Sequence, residues 1–541
     1  FIMFTSATIK YFLGTYSEGA LSITSLQFMV FVAAVCALYY IVPKCARWCV
    51  LLLANVFFYF CAGLSALLCL VLSTAIAYFA ALFIGRNLAA QKEKQKTIEG
   101  DEKRVFKKRC EKKRRRVLAL GVFLVLLVLV AVKYLGFIFE TVGIASTEGA
   151  GNILDKIPAV LGCSYFTLMH ISYMTDVYRS KYAPQKNFLK YFVFASFFPH
   201  IVQGPIDRYD TLAPRLYEGN KWNFDNIKTG VMLIVWGYFK KLIIADRLAP
   251  AVNTIFSEYT SYGGPMIFFG TVLFSFKLYA DWTAYCDIVG GAAEMLGIKI
   301  TQNFNRPYFS QNLPEFWRRW HMSMGAFFKE YVLYPVSASK LNLKINKFAR
   351  KVFGNNSLGR VAGSIVPIIS VWLLTGLWHG AGWCFVLWGL YQGVLILLSV
   401  GFTPTLEKLN KKLNFKTETF GWKLFRALRT FFLCCIGRLF FNATDMKMLA
   451  GLFKGLTRFS FSLKEYSSLN ISLREWAVVA AALAVMLLAA VLQEKYEVRK
   501  ALNAQPILVK WPVLIAGVAA IVLFGVYGVD GQLSSFVYEQ F

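Results

Sequence analysis

Charge is scarce in this sequence and uneven in sign. Only 16% of its 541 residues are charged, and 30 acidic residues stand against 59 lysines and arginines, a formal net charge of +29. Soluble domains carry about a quarter charged residues, so this chain is short of the polar surface that a globule of its length needs. Metal and disulfide signatures are missing too. The eleven cysteines form no CxxC pair and no Cys/His ligand spacing, so neither a zinc site nor a disulfide framework is supported. Most of them, such as Cys36, Cys61, Cys69, Cys384, Cys434 and Cys435, fall in apolar runs and are expected to be buried reduced thiols. No cleavable signal pattern is evident, because the first apolar run starts late and lacks small residues at its end. No internal repeat is seen, which argues against a transporter built from two similar halves.

What is present is apolar: 57% of residues are hydrophobic and 16% aromatic. Apolar runs recur along the whole chain, the pattern of an all-α polytopic membrane protein. The positive excess lies between the runs, where it marks cytoplasmic loops rather than a nucleic-acid surface. Residues 1–24 read as an interfacial lead-in, and 26–43 as the first span. Residues 49–84 are too long for one crossing and carry Gly63 near the middle, which predicts two spans and a short turn. Residues 86–116 hold fourteen Lys/Arg against five Asp/Glu, a cytoplasmic helical hairpin or disordered loop. Residues 117–139 read as a span, and 141–156 as an outer loop. The run FPHIVQGPIDRYD has helix breakers at Pro199, Gly204 and Pro205. It reads either as a re-entrant segment with His200, Asp207 and Arg208 at its mouth, or as an ordinary helix end with surface charges. About a dozen crossings, within two, are expected in all.

Three stretches carry ionisable groups at depth. Residues 265–296 hold Asp281 and Tyr285, four apart and so on one helix face. Structural pairing of Asp281 with a lysine or arginine elsewhere competes with a chemical role. Residues 303–339 predict an amphipathic helix capped by Asn312, with Trp317 and His321 on one face and Arg318 among the polar residues. Residues 364–400 are long enough to cross and return, and His379 sits at their centre between Trp378 and Gly380. A histidine there either bonds a neighbouring helix or works, because burying an ionisable group in a span costs several kcal/mol.

Together these segments resemble the membrane-bound O-acyltransferase superfamily, and within it the bacterial alginate O-acetyltransferase-like branch. The likeness rests on LGCSYFTLMHISYMTDVYR (161–179), FPHIVQGPIDRYDTLAP (198–214), LYADWTAYCDIVGGAAEMLGI (278–298), the segment around WRRWH (303–337) and LLTGLWHGAGWCFVLWGLYQG (373–393), in that order. The WRRWH and GLWHG pair is the specific part. Trp282 and Thr283 stand where members often have Phe-Ser, a change expected to be tolerated. The teichoic-acid D-alanylation protein shares much of the pattern and is the near alternative.

The resemblance implies a ring of tilted helices around a funnel, with N-terminal spans and the basic loop in 1–116, a catalytic core in 117–420 and additional spans in 421–541. It implies His379 as the essential histidine and His321 as the second signature residue. Acetyl-CoA is the implied donor and no bound cofactor or metal is implied. A separate extracytoplasmic SGNH-type transferase is the implied partner, a polysaccharide the final acceptor and a bacterial cytoplasmic membrane the location. Trp378, Trp383 and Trp388 are expected to wall a channel, and Gly376, Gly380 and Gly382 to leave room for a pantetheine arm. Trp317, Asp281 and Tyr285 are expected to line the tunnel, and Arg318 or Asn305 to help His321 orient the donor or hold the oxyanion.

Overall fold

A computed structural model describes residues 21–144, 160–414, 416–460, 463–467, 469 and 471–527. The lead-in before residue 21 and most of the expected outer loop 141–156 lie outside them. All regular structure among the described residues is helical, with no strand. Among the described residues seven helices are long and apolar enough to cross a membrane, fewer than the dozen crossings expected, and the apolar run Leu26–Ile41 forms a shorter helix. The chain divides into two compact units, 1–234 with 287–301, and 235–286 with 302–541.

The first unit opens with α1 (Leu26–Ile41), whose start is fixed by Ser25 Oγ accepting the Phe28 N–H at 3.1 Å, a cap that contributes about 1 kcal/mol. Gly63, at φ +115°, separates α2 (Arg47–Cys61) from α3 (Leu64–Lys94) as the sequence suggests. The basic insert is a helical hairpin: α3 runs on past the apolar stretch, turns at 95–99 and returns as α4 (Gly100–Leu129). Buried Arg114 locks it, donating to Asn87 Oδ1 at 3.1 Å and to Gln91. A π-helical turn leads α4 into α5 (Leu135–Val142).

Next come α6 (Cys163–Tyr178) and α7 (Phe188–Ser196). His170 on α6 packs against the Tyr191 hydroxyl, 2.8 Å from Nδ1. The break after Ser196 is buried: His200 and Asp207 are 1% exposed and lie 3.4 Å apart. Asn55 supports the unwound backbone, accepting the Phe198 N–H at 3.0 Å and donating to Ser196 Oγ at 3.1 Å. That is the pattern of irregular backbone held inside protein, and it excludes the surface-charge reading of this segment. The unit continues through α8 (Tyr209–Tyr217) into α9 (Phe224–Tyr238).

The second unit holds α10 (Asp246–Ser257) and most of α11 (Gly264–Met295). The predicted amphipathic helix is two short ones, α12 (Leu313–Arg319) and α13 (Met322–Phe328). Asn312 caps α12 as expected, accepting the Glu315 N–H at 2.8 Å. The helix stops because His321 adopts a left-handed conformation, φ +46° and ψ +54°. After α14 (Lys340–Phe353) come α15 (Ser357–His379) and α16 (Trp383–Lys412), an antiparallel hairpin turning at Gly380–Gly382. Further on lie α17 (Phe420–Asn442), α18 (Met446–Leu456), α19 (Leu473–Leu492) and α20 (Ile507–Phe524). One apolar core within this unit gathers Trp282, Trp320, Trp372, Trp388 and Phe441.

Candidate active site

His379 is the last residue of α15 and is 2% exposed. Three aromatic rings stand nearly edge-on around its imidazole: Trp378 at 5.0 Å and 75°, Trp388 at 5.0 Å and 86°, and Phe441 at 5.3 Å and 70°. Trp388 and Phe441 also pack on each other at 4.9 Å. Such walls keep water from the ring, a condition for handling a reactive ester without hydrolysing it.

The second imidazole belongs to the same cluster. His321 lies 5.4 Å from Trp378, so one indole neighbours both imidazoles. Trp282 closes a further side of His321 at 4.5 Å. His321 Nδ1 lies 3.1 Å from Asn303 Oδ1, which also accepts the Ser323 N–H at 3.2 Å and the Ser323 hydroxyl at 2.8 Å. Three donors converge on that oxygen, so the amide orientation is settled and Nδ1 carries the proton. Burial pushes the imidazole down to about 3, which keeps it neutral. His321 Nε2 then holds a lone pair, and it makes no hydrogen bond among the described residues. In this tautomer His321 accepts a hydrogen bond from a ligand but cannot donate one to an oxyanion.

Several expected neighbours lie elsewhere. Arg318 is exposed, because it follows Trp317 by about 100° around α12, and Trp317 is the residue that turns inward, donating to Gln392 Oε1 at 3.2 Å. Asn305 accepts from Arg306 Nε at 3.0 Å. Neither meets His321 in a hydrogen bond. Trp383 is 51% exposed; it and Trp388 are five residues apart, about 140° around one helix, so they cannot both face His379. Asp281 bonds Lys241 Nζ at 2.7 Å, and the same ammonium holds Asp246 at 2.9 Å. All three are at most 4% exposed, so Asp281 belongs to a buried ion triad. Tyr285 is fully buried one turn further along α11. A Cβ on Gly376 would strike the Phe385 carbonyl, and one on Gly380 the Phe385 ring. These glycines let the two hairpin helices touch, and leave no room there for a donor arm. Of the three, only Gly382 would carry a Cβ at an ordinary contact distance, 3.7 Å from Phe385.

The histidines of the WRRWH and GLWHG strings thus share one aromatic cluster. The membrane-bound O-acyltransferase profile matches residues 53–353, more than half of the chain and including His321. The chain belongs to the membrane-bound O-acyltransferase family. Among curated proteins it is similar to a peptidoglycan O-acetyltransferase of Helicobacter pylori, 29% identical over 55% of this chain and 56% of that one. It resembles a probable alginate O-acetylase of Pseudomonas syringae, 28% identical over 66% and 63%. A teichoic acid D-alanyltransferase of Bacillus subtilis is 29% identical over 52% and 68%. The chain thus spans a little more than half the length of the first curated relatives it matches. It is a multi-pass membrane protein whose relatives place it in the bacterial O-acetyltransferase-like branch of that family.

Sequence reasoning missed several residues of this candidate site. Asn303 opens the NFNRPYF motif, but nothing in that string marks it as the His321 partner. Trp282 is visible as a departure from the usual motif, and its contact with His321 gives the departure a place. Phe441 and Arg438 come from α17, beyond the matched segment. The apolar run 427–441 holds two arginines, Arg429 and Arg438, and an ionisable group in such a run is a candidate by default, a signal that could have found Arg438.

Proposed function

We propose that the protein takes an acetyl group from cytoplasmic acetyl-CoA and passes it across a bacterial cytoplasmic membrane for O-acetylation of an extracellular or cell-wall polysaccharide. A separate SGNH-type transferase on the outer side makes the final transfer. The observation that carries this reading is the pair of buried imidazoles that both neighbour Trp378. The named activities of the Helicobacter and Pseudomonas relatives support the choice of acetyl and of a polymeric acceptor.

In this mechanism His379 is the general base. Its neutral imidazole takes the proton of an acceptor hydroxyl as the oxygen attacks the thioester carbonyl. The new C–O bond forms, the carbonyl electrons move onto oxygen, and collapse expels the thiolate, which takes the proton back from the imidazolium. His321 accepts a hydrogen bond through Nε2 and so orients donor or acceptor. The ring walls of Trp378, Trp388 and Phe441 exclude water during the exchange.

The likeness to the Bacillus protein supports a second reading, transfer of D-alanine to teichoic acid from an acyl carrier protein. Purified protein in vesicles, given labelled acetyl-CoA or a D-alanyl-loaded carrier, separates the two. Acetyl-CoA is expected to be consumed by the wild type, and His379→Ala to abolish consumption while the protein stays folded and inserted. Consumption that persists in His379→Ala removes the assignment. Ester analysis of secreted and wall glycans, with and without the gene, identifies the acceptor.

A further inference from the structure

Arg438 lies on α17, three residues before Phe441, so the two share a helix face. Phe441 is the ring that packs on His379 at 5.3 Å. The Arg438 side chain is 4% exposed and its guanidinium carbon lies 4.9 Å over the Trp320 ring, immediately before His321 in the chain. No carboxylate pairs with it among the described residues, and its Nε and Nη2 are buried without a hydrogen-bond partner. The titratable groups that face it, Tyr308, Cys434 and Cys435, are neutral side chains; the Tyr308 hydroxyl donates to the Ser275 carbonyl at 2.6 Å. Lys241, a buried cation of the same unit, is by contrast held by two carboxylates.

An arginine is always charged, and an uncompensated charge in an apolar interior is strongly destabilising. A fold that keeps one over Trp320 and one turn from Phe441, the neighbours of the two buried histidines, stores positive charge that is already stripped of water. Charge aimed in advance at a site where negative charge develops stabilises a transition state far more than it would in water. His321 cannot serve there with its proton on Nδ1, as the Asn303 contact requires, and Arg318 is exposed.

We propose that Arg438 is a further catalytic residue, the cation that holds the oxyanion of the tetrahedral intermediate during acyl transfer. This rests on the thioester chemistry proposed above. As the acceptor oxygen bonds to the carbonyl carbon, the C=O electron pair moves onto oxygen beside the guanidinium. When the pair returns, the C–S bond breaks and the charge leaves with the thiolate.

The test uses the full chain reconstituted in vesicles, with Arg438→Met and Arg438→Lys compared with wild type in donor kinetics and thermal stability. Arg438→Met is expected to lower kcat by about 100- to 1,000-fold, with KM for the donor within about threefold. Its melting temperature stays level or rises, since an unpaired buried charge has been removed. Arg438→Lys recovers part of kcat. A merely structural arginine would lose melting temperature together with activity, and that result overturns the proposal. So does a methionine variant with kcat near wild type, or one whose loss is wholly in KM. If the wild type consumes no acyl thioester at all, the acyl-transfer reading itself falls and the proposal with it; an active wild type with an equally active Arg438→Met variant removes only the role of Arg438.

Discussion

At the scale of single residues, the site depends on how the histidines are held. Asn303 Oδ1 takes three donors, and through one of them it selects the His321 tautomer. Asn303→Leu strands those donors, at about 1–3 kcal/mol for each group left unsatisfied in the interior, and lets the imidazole change tautomer. We expect turnover to fall at least tenfold, by analogy with other histidines that lose their orienting partner, and melting temperature to fall with it. Asn303→Asp keeps the acceptor and is expected to retain more of both. Steady-state kinetics and thermal melts of the two variants check this, and wild-type turnover in the leucine variant would defeat the tautomer argument. His321 itself sits at φ +46°, a conformation few residues other than glycine adopt and one that clusters at working sites.

At the scale of elements, the α15–α16 hairpin positions His379, and small residues bring its helices together. A Cβ on Gly376 would collide with the Phe385 carbonyl and one on Gly389 with the Trp372 carbonyl. Gly376→Val or Gly389→Val therefore forces the helices apart, with an expected loss of about 1–3 kcal/mol or more, typical of overpacking. Gly382→Ala meets only an ordinary contact with Phe385 at 3.7 Å, and is expected to melt like wild type. Thermal unfolding in detergent distinguishes the three. Much of the helix pattern was legible: the hairpin, the break at Gly63 and the Asn312 cap all follow from apolar run length and turn residues. The break at His321 was not. No glycine or proline stands between Trp317 and Met324, so the periodicity reads as one helix, and only tertiary packing around Trp282 and Asn303 interrupts it. The direction of Trp383 was likewise hidden, since tryptophans close in sequence look alike until their angles around the helix are counted. Asp281 illustrates the converse: a carboxylate in an apolar run announces a partner, but not that the partner is Lys241.

At the scale of the whole chain, charge sets topology. The α3–α4 hairpin projects its basic residues at 92–116 on one side, and the positive-inside rule places that side in the cytoplasm. A cysteine introduced at Thr97, in a background where exposed Cys45 is replaced, is expected to react with a membrane-impermeant maleimide only in inside-out vesicles. Labelling from the outside of intact cells would invert the orientation on which the donor side is argued. The candidate site was legible in its two histidines, which sit in recognisable strings. Its remaining walls come from segments without such strings, because aromatic and apolar residues are common everywhere in a chain with 49 phenylalanines.

The family profile ends at residue 353, yet His379, Trp388, Arg438 and Phe441 all follow it. Chimaeras spliced at that boundary would unite one relative's kinked segment with another's ring walls and guanidinium, across a seam of aromatic contacts such as Trp317 with Trp388 at 5.7 Å. Donor or acceptor preference should therefore be exchanged between relatives as a block reaching at least through Asn442, and a swap of the matched segment alone would graft half a reaction chamber.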